Sequence, residues 1–275
     1  MTRKAFPFRP LPLTTRSMTG FLAGALLLIP VAAHAAPERA VQLILDEKWA
    51  AARNEVVQSG NPVLIKLYEW NLYRDDQDNL PYDQVVDFIQ KNPTWPDQKK
   101  LLATAERTMP DSLSPSRIIQ WFYLHPAVTG KGIDRLLQAG QATGQSVIPL
   151  ANDAWPAASM SQDTQKEIMQ RYGRVLSINA HLARLDYLIK NESYTLARSL
   201  GELLGGGYPK LVEARIALAT DKSNARDLMN AVPQNLANTG GFVLDRIRWL
   251  RKNNNNVDAA NLLDTTSHTE KMTFP

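Results

Sequence analysis

An all-α chain, built as an α-solenoid or superhelix of antiparallel, tetratricopeptide-like helical hairpins, is the fold that this sequence predicts. Three observations lead there. From Glu38 onward the apolar residues recur at helical spacing, and alternating runs long enough for a sheet are missing. The breaks between periodic segments are short and carry Gly, Pro or Asn, as in Gly205-Gly206-Gly207 and Asn253-Asn254-Asn255-Asn256. No cysteine occurs, so helices must be held by packing alone, with neither disulfides nor thiolate metal sites available.

The chain opens with an export pattern. Arg3, Lys4, Arg9 and Arg16 precede the apolar run from Phe21 to Ala33, and Ala33-His34-Ala35 supplies the small residues of a cleavage site. Residues 1–35 therefore read as a secretory signal peptide and 36–275 as the helical domain, located in the periplasm. The signal holds four of the 31 Lys plus Arg and none of the 27 Asp plus Glu, which leaves 27 against 27. A neutral mature chain gives no reason to propose nucleic acid as a partner, and no later apolar run approaches membrane-spanning length.

The elements follow in order. A first helix pair covers about Glu38 to Gln58, and Asn61-Pro62 separates it from a helix over Pro62 to Arg74. Tyr82 to Lys91 is helical with Val85, Val86, Phe88 and Ile89 inward, and stops at Asn92-Pro93 because proline disfavours helical geometry in the residue before it. Pro96-Asp97 starts the next helix, through Leu101, Leu102 and Ala105, and Ser114-Pro115 starts another that ends at His125-Pro126. Further helices are expected at about 131–142, 145–153, 161–174, 179–190, 194–204, 208–219, 223–230, 241–252 and 256–264. Trp49-Ala50-Ala51-Ala52, Tyr194-Thr195-Leu196-Ala197 and Val257-Asp258-Ala259-Ala260 each put a bulky residue three positions before an alanine, and each is read as opening a hairpin.

Candidate chemistry is sparse. His125, His181 and His268 lie in separate segments with no His-x-x-x-His pair, so no metal site is expected; His125 reads as a helix-end residue and His181 as a solvent-accessible one near a helix start. Gly130-Lys131-Gly132 lacks a preceding strand and reads as a helix-start loop rather than a phosphate loop. Gly144-Gln145-Ser146 runs into Val147-Ile148, not a nucleophile elbow. Glu192-Ser193 follows an apolar helical stretch in the manner of a glycosidase acid, alone or paired with Asp186 or Glu202. Its neighbours Lys190 and Asn191 are polar, however, whereas a general acid needs a desolvated cleft, so it reads as a hairpin corner. Trp70, Tyr73, Trp95, Trp121, Trp155 and Trp249 could stack on sugar rings, but their spacing fits a core, with Trp95 the least securely buried.

The order of segments carries a resemblance. Phe88-Ile89-Gln90-Lys91-Asn92-Pro93-Thr94-Trp95-Pro96, with Leu101-Leu102 and Ala105-Glu106, comes first, then Pro115-Ser116-Arg117-Ile118-Ile119-Gln120-Trp121-Phe122 and His125-Pro126-Ala127-Val128-Thr129-Gly130. His181-Leu182-Ala183-Arg184-Leu185-Asp186, Val212-Glu213-Ala214-Arg215-Ile216-Ala217-Leu218 and Asp245-Arg246-Ile247-Arg248-Trp249-Leu250-Arg251 follow. Together they resemble the superhelical N-terminal domain of soluble lytic murein transglycosylases, over most of residues 62 to 264. The resemblance implies a periplasmic scaffold in peptidoglycan turnover, with glycan strands as partners and no cofactor. In that family a separate lysozyme-like domain makes 1,6-anhydro products. That domain's motifs do not occur here, so no catalytic, cofactor-binding or metal-ligating residue is carried over, and the ending at Thr273-Phe274-Pro275 is read as a truncation. The alternative expectation is a non-enzymatic periplasmic adaptor that binds proteins through a tetratricopeptide-like groove.

Overall fold

A computed structural model describes residues 35–75 and 79–267. The export segment, apart from Ala35, lies outside the described residues, as do His268 and Thr273-Phe274-Pro275. The described chain is all-α, with fifteen helices and no strand among the described residues. It divides into two compact units at the Asn61-Pro62 break.

The first unit is one helical hairpin, α1 (Ala35–Leu45) against α2 (Trp49–Ser59). Ala40, Ile44, Ala52 and Val56 form its buried seam. Glu47 turns the corner in the left-handed region at φ 57°, and the amide of Lys48 reaches back to the Leu43 carbonyl at 2.9 Å, the Schellman closure of a helix end.

The second unit begins with α3 (Pro62–Arg74), α4 (Tyr82–Lys91), α5 (Gln98–Thr108), α6 (Pro115–Leu124) and α7 (Gly130–Thr143). It continues through α8 (Ile148–Ala154), α9 (Gln162–Tyr172), α10 (Ile178–Lys190), α11 (Tyr194–Leu204) and α12 (Tyr208–Ala219). α13 (Ala225–Asn230), α14 (Gly240–Lys252) and α15 (Asn256–Ser267) complete it. Most of the boundaries fall within two residues of the predicted ones. α8 starts three residues later than expected, because Gly144 at φ 70° ends α7 and Pro149 sits in the first turn of α8, where a missing amide costs nothing. Ser161 and Ser177 cap α9 and α10 by accepting from the amides of Thr164 and Ala180, both at 3.1 Å.

Packing runs between sequence neighbours and next neighbours. α3 packs on α5, α5 on α7, α7 on α9 and α9 on α11; the parity then switches, and α10 packs on α12 and α12 on α14. One apolar cluster extends from Tyr73 to Ile216, with Leu101, Ile133, Leu136, Ile168, Leu185 and Leu200 fully enclosed. A second is centred on α12, with Leu211, Ala214, Ala217 and Phe242. Each buried leucine or isoleucine contributes about 1.5–3 kcal/mol, so the stripe along every helix, rather than intrinsic propensity, holds these short helices.

The corner seen in the first unit recurs. Glu192, Asp221 and Asn254 all take φ near 55–60° after α10, α12 and α14, at 56°, 54° and 60°. The next amide again reaches five residues back, Ser193 to Leu188 at 2.8 Å, Lys222 to Ala217 at 3.0 Å and Asn255 to Leu250 at 2.8 Å. In three of the four, the fifth residue after the corner is a buried alanine: Ala52, Ala197 and Ala259. This corrects the predicted repeat in two ways. The motif opens the second helix of each hairpin, not the hairpin itself. In the last hairpin it is Asn256 to Ala259, one residue earlier than read, since Val257 is 71% exposed. Bulk at the first position is not required, and in these three hairpins the small alanine lets the second helix approach the first closely.

Candidate functional site

A concavity of the second unit lies among α10, α12 and α14, with a volume of about 1000 Å³. At its wall Arg215 sits on the same face of α12 as Leu211 and Leu218, at positions that otherwise read as core, and its side chain is only 4% exposed. The guanidinium donates to Asp186 on α10 through Nη1 at 2.5 Å and to Asp245 on α14 through Nε at 2.7 Å. Burial opposes its charge, but the two carboxylates outweigh it and hold its pKa above the ordinary value. Burial pushes the Asp245 carboxyl up, against the pull of Arg215, whereas Asp186 keeps about half its side chain in solvent. A β-carbon on Gly241 would stand 1.9 Å from Asp186 Oδ1 and 2.7 Å from the Arg215 guanidinium, so the Asp186–Arg215 pair occupies the space that glycine leaves open at the start of α14.

Of the candidates named from sequence, the cavity gathers Asp186, Glu192 and Trp249 but not Glu202, which is exposed on α11 outside it. Glu192 is the exposed left-handed residue of the α10–α11 corner, and its amide caps Ile189 at 3.1 Å. An exposed corner does not supply the desolvation that a glycosidic acid needs.

A different carboxyl is buried. Glu106 on α5 is 1% exposed and accepts from the amides of Val128 at 2.7 Å and Thr129 at 2.8 Å, and from the Thr129 hydroxyl. Burial pushes its pKa up to about 7 despite these donors. It closes the N-terminus of α7, whose positive end favours a carboxylate. Gly130-Lys131-Gly132 is thus a helix start of a particular kind. A β-carbon on Gly132 would lie 2.3 Å from Glu106 Oε2, and one on Gly130 would meet Thr164 at 2.7 Å. The two glycines let α5 and α9 close on this turn, and a parallel bridge between Thr129 and Ser159 fastens it.

His181 departs from expectation. It is 2% exposed rather than solvent-accessible, with Nε2 at 3.0 Å from the Gly173 carbonyl and its ring edge-on to Trp155 at 5.9 Å. Burial lowers its pKa, against the opposing pull of the Gly173 carbonyl, and so favours the neutral ring. Its neighbour Arg184 is fully buried without a carboxylate. The guanidinium lies 4.5 Å over Trp155, donates to Gln165 Oε1 at 2.9 Å and to the carbonyls of Trp155 at 2.8 Å and Ala158 at 3.1 Å, and burial lowers its pKa to about 10. His125 caps the end of α6, as expected, its ring tilted by 39° against Trp121 at 4.2 Å.

The aromatic residues serve largely as core. Tyr73, Trp121 and Trp155 are buried, and half-buried Trp95 packs edge-on to both Trp70 and Phe88, at 5.7 and 5.8 Å. Trp249 is half-buried at the cavity, with its indole N–H on Asp221 at 3.1 Å. No cluster of His, Cys, Asp and Glu that could hold a metal is found among the described residues, and none of the described helices is long and apolar enough to cross a membrane. The helical spacing concealed Arg184, Arg215 and Glu106 as buried groups; the available signal was a charged residue at a stripe position, as at Arg215 between Leu211 and Leu218.

Compared with protein families, curated proteins and solved structures, the chain matches none.

Proposed function

We propose that this protein is a non-catalytic helical scaffold in the periplasm, of the kind that forms the superhelical portion of soluble lytic murein transglycosylases, and that it acts in peptidoglycan turnover. The observation that carries the reading is the recurring hairpin corner combined with next-neighbour packing. The same left-handed residue, five-residue closure and buried alanine return after α1, α10 and α14, and the odd-numbered helices from α3 to α11 each rest on the next odd-numbered one. Units that bury their faces only by stacking in this way extend as a tetratricopeptide-like solenoid, which offers binding area rather than a reactive pocket. Supporting it, Glu192 is an exposed corner and the buried Glu106 is closed off by the start of α7, so neither carboxyl is placed to protonate a glycosidic oxygen.

The test is sedimentation of the purified chain with peptidoglycan sacculi, beside mass spectrometry of the supernatant for 1,6-anhydro muropeptides. Retention with no anhydro product is expected. Release of anhydro product overturns the non-catalytic assignment. Failure to sediment, with capture of periplasmic proteins instead, moves the assignment to the adaptor.

A further inference from the structure

Arg184 is an enclosed cation whose hydrogen bonds all go to neutral groups. Its Nε donates to Gln165 Oε1 at 2.9 Å, and its Nη1 to the carbonyls of Trp155, Pro156 and Ala158 at 2.8, 3.5 and 3.1 Å. Both hydrogens of Nη2 are left over, since this buried nitrogen bonds to no group among the described residues. No carboxylate bears on the guanidinium, whose one titratable neighbour of consequence is Tyr187. A desolvated cation without a counter-charge is costly, and buried charges are ordinarily paired.

Two further groups without hydrogen-bond partners stand beside it. The Trp155 ring lies 4.5 Å from the guanidinium carbon and 5.9 Å from the His181 ring, and its indole Nε1 has no acceptor among the described residues. His181 sits one turn before Arg184 on the same face of α10, with Nε2 bonded to the Gly173 carbonyl at 3.0 Å and Nδ1 unbonded. All three residues are at most 2% exposed. One buried group of this kind is a local defect; three around a single tryptophan, two of them donors only, describe a site for an acceptor. A water would take both donors but leave the charge of Arg184 unbalanced. A monatomic anion, about as large as one water, accepts from the same donors and balances that charge.

We infer that Arg184 Nη2 and Trp155 Nε1 bind a buried monovalent anion of halide size, with His181 taking up a proton on Nδ1 to complete the cradle. The inference is independent of the scaffold reading. Because Nε2 is committed to the Gly173 carbonyl, Nδ1 donates to an anion only in the protonated ring, so one proton enters with each anion. Burial and then the charge of Arg184 lower the His181 pKa; the anion offsets the second, so binding strengthens as pH falls. The neighbouring elements carry Asp153 on α8 and Arg171, Tyr172 and Arg174 at the end of α9, yet Arg184 is the one charged group that bears on His181.

The probe is sodium bromide, titrated into the full chain and followed by the indole N–H signal of Trp155 in nitrogen–proton NMR, with sodium sulfate at equal ionic strength as the comparison. Crystals grown in bromide locate the ion by anomalous scattering. A saturable shift with bromide and not with sulfate is expected, with a bromide peak beside Arg184 Nη2. The apparent Kd should fall by up to about tenfold per pH unit between about pH 8 and about pH 6. Arg184→Met should abolish the shift. His181→Gln, which gains no proton, should bind more weakly and without pH dependence, and it carries the test if Arg184→Met does not fold.

Absence of a saturable shift, a shift that sulfate reproduces, a pH-independent affinity in the native chain, or a water in place of bromide each overturn the inference. So does a pH dependence that survives in His181→Gln. A bromide peak without a saturable shift marks an adventitious ion only and overturns it as well.

Discussion

Arg184 and Arg215 lie one helix pair apart and are both buried, yet the fold accommodates them by opposite means. Arg184 has no carboxylate: a tryptophan face, a glutamine oxygen and main-chain carbonyls solvate it, and burial wins, lowering its pKa to about 10. Arg215 is gripped by carboxylates from two other helices, and their charge wins over burial. The contrast teaches that a guanidinium at a stripe position can fasten a loop through dipoles or fasten helices through ions. Only the second leaves an exposed, partly charged wall beside a cavity, which is why the open concavity lies at Arg215 and not at Arg184.

The largest effect should come from stranding an ion. Arg215→Ala leaves Asp245 buried without its partner and should cost about 3–5 kcal/mol in urea unfolding. Arg184→Met keeps volume and strands only Gln165 and neutral carbonyls, so a smaller loss of about 2–3 kcal/mol is expected. If Arg184→Met proved the more damaging of the two, the division between ionic and dipolar fastening would be wrong.

Glu106 sharpens the comparison from the anionic side, since it too is buried with dipoles for partners. Its folded pKa of about 7 lies above the ordinary 4.5, so the folded state holds the proton more tightly than the unfolded chain. That contribution to stability is complete below about pH 4.5 and is lost as pH rises to about 7, by on the order of 2 kcal/mol. Urea midpoints at pH 5 and 7.5 should therefore fall more in the native protein than in Glu106→Gln, which has no proton to lose; equal slopes would show that the buried carboxyl stays ionised throughout.

The smallest effect is expected at Gly241→Ala. Its β-carbon would displace Asp186, a half-exposed side chain able to swing outward, and nudge the Arg215 guanidinium tip into the space Asp186 leaves; alanine's better helix propensity offsets part of the loss, leaving about 1 kcal/mol. The Arg215 to Asp186 bond should break while Arg215 to Asp245 persists, visible as a shift of the Asp186 carboxyl in carbon NMR and none at Asp245.

The sequence was most legible where backbone chemistry is local. Asn92-Pro93, Ser114-Pro115 and His125-Pro126 mark helix ends in the positions found, because proline restricts its predecessor and lacks an amide wherever it occurs. The hairpin repeat was only half legible. Trp49 and Tyr194 suggested a bulky opening residue, whereas the shared feature is the left-handed corner and the alanine five residues on. Glu, Asp and Asn occupy that corner in place of glycine, so composition does not announce it. His181 was misread because its place near a helix start says nothing of Trp155, 26 residues away in the sequence and edge-on to its ring.

By itself, the sequence determined the all-α class, nearly every helix and the absence of cysteine chemistry, since 3.6-residue periodicity, capping and proline geometry act within a few residues. Tertiary structure alone decided which charges are buried, which glycines are closed over, and that Asp186, Arg215 and Asp245 meet. Those outcomes depend on side chains about 30 positions apart, whose desolvation and pairing energies exist only once the helices have packed.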